Sequence, residues 1–338
     1  MDADVSAAST GFHDTGRRWS AAELAVATVA FGLAVAAIAI RTGRPPSTLA
    51  LVAAGVFFVL VPGGYIAFSV DGVRQSLSSL VSGLRPIARL LAGPVVVCVV
   101  VAGYAWAAGL PVASRLAAYA AYLIVPPLFL ATPTMTRQGR RLPVQELTVV
   151  FALWLPIEFR ILPPLPLPAP NGVDMRKLVG LVEAMYLFLV ARPLPGIGYT
   201  YRLIARDAMT AVLAFLVYAV AAVPIGLATG FIAWRPELDA THVIGGPLII
   251  YLVTGVPEEF LFRGLLQNLL TGWLGPRPGL VIASIVFGFA HLPDFRYVVL
   301  AAMAGLAYGW VYQRTQRITA SAITHALVDG TWGALLRG

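Results

Sequence analysis

The sequence is poor in almost everything a water-soluble domain displays on its surface. Only 12% of its 338 residues are charged, about half the roughly 25% carried by soluble globular domains. An ordinary soluble fold is thereby excluded, and 59% hydrophobic residues with a mean hydropathy of +0.81 agree. Cys98 is the only cysteine, which rules out an intrachain disulfide and a thiolate metal cluster. Within the apolar run Val95–Val101 it reads as a small hydrophobe. Lysine is nearly absent: of 24 basic residues, only Lys177 is one. The net charge of +8 is spread over short loops between apolar runs, as in chains anchored against lipid headgroups. No compact basic patch with interleaved aromatics offers a surface to nucleic acid. The sequence has no His-Glu-x-x-His motif and no internal repeat of the kind that builds transporters from inverted halves.

What the chain does have is apolar runs of about 20 residues, the length that spans a bilayer as a helix. A membrane β-barrel would show strands of about 10 residues with alternating polarity, and none are seen. The expected fold is an all-α, polytopic transmembrane helix bundle of about eight to ten membrane helices. Residues 1–20 form a polar tail containing His13, residues 21–240 are N-terminal transmembrane helices without legible chemistry, and residues 243–338 form a C-terminal core. Expected spans in the N-terminal part are Ala21–Ile40, Leu49–Phe68, Leu90–Leu110, Val112–Ala131, Leu147–Leu162 and Ala208–Trp234. Asp71–Arg89 reads as an interfacial amphipathic helix or a loop. Pro163–Pro170 is an extended loop, because each proline removes a helix donor. Leu178–Val190 reads as a re-entrant or interfacial helix with Glu183 near its end.

Three polar islands interrupt the apolar C-terminal core. The first is Glu258-Glu259-x-x-x-Arg263, the second Phe287-x-x-x-His291, and the third His325-x-x-x-Asp329. A carboxylate in hydrocarbon is costly, so such groups face a bundle interior and mark function. Residues four apart share a helix face, so Glu259 can pair with Arg263, and His325 lies over Asp329. Glu258 is left on a neighbouring face for proton chemistry, since a desolvated glutamate suits a general base or acid. His291 closes a helical stretch from Val281 and precedes Leu292-Pro293-Asp294, which places it at a helix end. His242 sits at a loop edge, where a structural role is the simpler reading.

Together the three motifs resemble those of the type II CAAX prenyl endopeptidase family, which includes the bacterial CPBP (Abi) membrane proteins. The resemblance covers about Val243–Gly338 and implies an intramembrane endopeptidase acting on a membrane-associated peptide or protein. Carried over residue by residue, it implies that Glu258 and His291 activate a water. It assigns His325 and Asp329 to the oxyanion or to completing the site, with Glu259, Arg263 and Phe287 in support. Relatives have asparagine where this chain has Asp329, although the bacterial pattern also admits aspartate. An ionised carboxylate cannot donate to an oxyanion, so Asp329 is either protonated or orients His325. The glutamate mechanism needs no cofactor. A zinc ion held by Glu258, His291 and His325 is the alternative chemistry. A non-catalytic membrane adaptor or immunity protein that retains the protease fold is the alternative function. Arg-over-Lys usage with abundant Ala, Pro and Gly fits a GC-rich genome, so the expected location is a bacterial cytoplasmic membrane.

Overall fold

Proline, glycine and a few polar caps punctuate the chain into helices. The computed structural model describes residues 48–107, 113–137, 140–164, 174–239 and 241–337. The expected polar tail with His13, the expected span Ala21–Ile40 and most of the proline-rich stretch lie outside them. In order, the helices are α1 (Thr48–Leu60), α2 (Pro62–Ala67), α3 (Asp71–Ser82), α4 (Pro86–Ala107), α5 (Ala113–Phe129), α6 (Val144–Glu158) and α7 (Met175–Tyr186). They continue with α8 (Ala205–Ala228), α9 (His242–Leu274), α10 (Pro276–Phe289), α11 (Phe295–Thr315) and α12 (Ile318–Leu335). Gly275, at φ +99°, separates α9 from α10, and Pro276 opens α10 at the position where a missing N–H costs nothing. Gln316, in the left-handed region at φ +53°, ends α11. The β structure consists of two-residue antiparallel pairs. One of them, Ala233–Trp234 with Leu336–Arg337, ties the loop after α8 to the end of α12.

The fold is all-helical, and α4, α8, α9 and α11 are long and apolar enough to cross a membrane. Counting the pair formed by α1–α2 and α3, bent by 113°, as one span makes five. The structure therefore supports four or five spans among the described residues, fewer than the eight to ten expected. Part of the difference lies in helix length, and the expected span Ala21–Ile40 is outside the described residues. The expected span Leu147–Leu162 is the 15-residue α6, about 22 Å long at 1.5 Å per residue, against a hydrocarbon core of about 30 Å. Its apolar residues pack against other helices instead. The stretch containing Asp71 is helical, and α7 followed by a π turn at Leu187–Ala191 is buried in the bundle. Glu183 lies three residues before the end of α7, as expected, but it is fully buried and not at an interface. On α8, Leu213, Leu216, Val217 and Val220 project outward, a row that hydrocarbon solvates without cost and water would not.

One apolar core joins the two halves of the chain. It runs from Phe57 and Phe58 on α1, through Val179 on α7, to Val256, Phe260 and Leu265 on α9 and Ile318 on α12. Close approach inside the C-terminal part depends on small residues. At Gly305 on α11 an added Cβ would lie 3.0 Å from Ser284 Cα on α10, and at Gly288 it would lie 2.6 Å from the Val298 carbonyl oxygen. Both contacts hold α10 against α11, beside the polar centre that these two helices share with α9 and α12.

Candidate active site

Helix α9 is irregular where the polar centre lies. Val256–Glu259 is one α turn between the π segments Tyr251–Gly255 and Phe260–Gln267. Such widened turns concentrate at functional sites. Pro257 has no N–H for the Val253 carbonyl four residues back, and Val253 lies in the first widened turn. The result places two consecutive carboxylates in different surroundings. Glu259 is fully buried, whereas the Glu258 side chain keeps 21% of its surface.

Glu259 is the hub. Its Oε1 accepts from Arg263 Nη1 (3.1 Å) and lies 2.9 Å from His325 Nδ1, while its Oε2 accepts from Ser321 Oγ (2.6 Å). Arg263 also donates through Nη2 to the Gly305 carbonyl (3.0 Å), and its guanidinium lies 4.6 Å from the Phe287 ring centre. A buried ion pair needs its remaining lone pairs and protons satisfied; the Ser321, His325 and Gly305 contacts satisfy most of them, and Arg263 Nε is left without a hydrogen-bond partner. His325 is stacked on Tyr308 (4.7 Å, 16°) and presents Nε2 to Asp329 Oδ2 at 3.4 Å and to Glu258 Oε2 at 4.0 Å. Both ring nitrogens thus face carboxylate oxygens, which only accept.

His291 lies two residues beyond the end of α10, in the turn that the sequence placed at a helix end. Its Nδ1 is 2.9 Å from the Phe287 carbonyl. A carbonyl can only accept, so Nδ1 carries the proton and Nε2 is left to the cavity. Phe287 lies against both histidines, tilted to His291 at 4.9 Å and edge-on to His325 at 6.0 Å between ring centres, and Tyr297 abuts His291 at 4.4 Å. Beyond the turn, Asp294 caps α11 by accepting from the Arg296 N–H (2.9 Å). The Arg296 guanidinium holds the Asp294 carboxyl down at about 2, so this cap stays ionised at any ordinary assay pH.

Two cavities meet at this centre. One, of about 320 Å³, is lined by Thr254, Tyr218, Tyr297, His325 and Asp329 as well as by Glu258 and His291. The other, of about 270 Å³, is mostly apolar and lies between α9 and the helices α6 and α7, lined by Leu153, Trp154, Leu181 and Phe262 among others. Glu258 and His291 belong to the wall of both. Residues 240–331 match the family model for Rce1-like proteins, described as Type II CAAX prenyl endopeptidase Rce1-like. Over this segment the chain is similar to the Rce1-like family. No curated protein and no solved structure matches the chain.

All seven residues singled out from the sequence lie within the Rce1-like segment, and the structure gathers them at one centre: Glu258, Phe287, His291, His325 and Asp329 line the two cavities, and the Glu259–Arg263 pair lies buried behind them. His242 stands apart, with Nδ1 at 2.7 Å from Asp239 Oδ2. Among the described residues, no group of three or more His, Cys, Asp or Glu side chains is arranged to hold a metal. The set Glu258, His291 and His325 fits zinc poorly, because both His325 nitrogens already face Glu259 and Asp329. Sequence reasoning missed Ser321, Tyr308 and Lys177. Ser321 lies four residues before His325, so the helix period that paired His325 with Asp329 would have found it. Tyr308 and Lys177 come from other helices, and only the rarity of lysine marked the latter.

Proposed function

We propose that the chain is an intramembrane endopeptidase that hydrolyses a peptide bond in a membrane-associated peptide or protein, with a bacterial cytoplasmic membrane as its site of action. The observation that carries this reading is the shared wall: Glu258 and His291 stand between an apolar cavity and a polar one. An apolar peptide segment fits the first and water fits the second, so the scissile carbonyl and its nucleophile meet at these two side chains. Glu258 takes a proton from the water while His291 Nε2 holds it, and the hydroxide adds to the carbonyl carbon. The negative charge that develops on the carbonyl oxygen is met by the His325 Nε2–H. Asp329, 3.4 Å from that nitrogen, orients the imidazole and needs no proton of its own. As the carbon–nitrogen bond breaks, the proton held by Glu258 passes to the departing amine. The products are a carboxylic acid and an amine, with no cofactor consumed.

The test compares new peptide termini in membranes of cells carrying wild type, Glu258→Ala or His291→Ala at matched levels. Termini that vanish in both variants support proteolysis and identify the substrates. Identical profiles in all three, with the wild type folded and inserted, refute the enzyme and favour a membrane adaptor that retains the fold.

A further inference from the structure

Lys177 is the only lysine in the chain, and its ammonium lies 3.3 Å from Glu258 Oε1. It stands on α7, outside residues 240–331, and reaches the centre across 81 positions of sequence. The other carboxylates nearby already have partners. Asp174 is taken by the Arg176 guanidinium through three hydrogen bonds, at 2.6, 2.9 and 3.0 Å, and Glu158 accepts from Trp154 Nε1 (3.2 Å). Within the Rce1-like segment, Glu259 has Arg263, and Asp329 has His325. Of these carboxylates, Glu258 is the one that draws its cation from another part of the fold.

The residue type matters. Asp174, Glu259 and Asp294 all pair with arginine, in a chain that otherwise uses arginine for every basic position. A guanidinium is a planar fork that engages both oxygens of a carboxylate, whereas an ammonium is a compact point charge. The ammonium of Lys177 contacts Oε1, and Oε2 remains on the side of His325, at 4.0 Å from its Nε2. We infer that Lys177 is a positioning residue for Glu258, fixing Oε1 from the N-terminal helices so that Oε2 is presented to the water. This rests on the assignment of Glu258 as the base in the proposed function. It gives the N-terminal half a part in the chemistry that the family segment does not contain.

Because the chain has one lysine, 15N-lysine labelling yields a single side-chain ammonium resonance, and the full-length protein in detergent micelles can be read without any substrate. The resonance is expected to move in Glu258→Gln and to stay in place in Glu158→Gln. An unchanged resonance in Glu258→Gln overturns the pairing. The kinetic arm uses a quenched fluorogenic peptide copied from a terminus found in the membrane comparison. Lys177→Met should lower kcat by about tenfold or more, with KM within about threefold, the pattern of a group acting after binding. Lys177→Arg, which keeps the charge and guards against a folding failure, should also lose kcat, because the fork claims Oε2. Wild-type kcat in either variant overturns the inference. If Glu258→Ala is inactive while Lys177→Met is fully active, this inference alone fails. If Glu258→Ala is active, the proposed function fails with it.

Discussion

Breaking the buried pair at the centre of the site should cost far more than removing both of its members. In Arg263→Met the Glu259 carboxylate remains fully buried, with only His325 and Ser321 against it. Both partners are at most 1% exposed, so no solvent screening softens the loss. Removing one member of such a pair costs about 3–5 kcal/mol. Part of this is the charged hydrogen bond to the Gly305 carbonyl, about 1.5–3 kcal/mol on its own. Adding Glu259→Gln removes the orphaned charge and leaves an amide whose oxygen accepts from His325 Nδ1 and whose NH2 donates to Ser321 Oγ, with the hydroxyl turned to the Tyr308 carbonyl (2.8 Å). The double variant should therefore be more stable than Arg263→Met, with a coupling of about 1–3 kcal/mol. Equilibrium unfolding in mixed micelles, followed by tryptophan fluorescence, gives all four corners of the cycle. A double variant less stable than Arg263→Met would refute the view that an uncompensated buried charge dominates the cost.

Two further outcomes follow from the same geometry. Glu183 is fully buried and neither of its carboxylate oxygens has a hydrogen-bond partner, so Glu183→Leu should stabilise the protein by about 1–3 kcal/mol. The same unfolding assay checks this, and a destabilised variant would show that the carboxyl is needed where it is. Chelators such as 1,10-phenanthroline should leave cleavage within about twofold of the untreated rate, and purified active protein should carry far less than one zinc per chain. Inactivation reversed by zinc would restore the metal mechanism.

Local helical geometry explains which parts of the site were legible in the sequence. Glu259 with Arg263, and His325 with Asp329, are four residues apart on continuous helices, and the structure sets them at 3.1 and 3.4 Å. That spacing follows from the backbone alone. The division between the two glutamates was legible too, because adjacent residues on a helix cannot share a face. The span count was not. Apolar composition is the same for a helix facing lipid and a helix buried against its neighbours, and α6 and α7 are of the second kind.

The sequence by itself determined an all-helical membrane protein with three polar islands in residues 258–329, since composition and short-range periodicity are properties of the chain before it packs. Only the tertiary structure decided that Glu259 is a structural hub, that Glu258 and His291 form the wall between two cavities, and that Lys177 on α7 reaches Glu258. These depend on which helices lie side by side, and that is set by small residues such as Gly288 and Gly305 and by the shared core from Phe57 to Ile318. Spacing along the chain carries no record of such contacts.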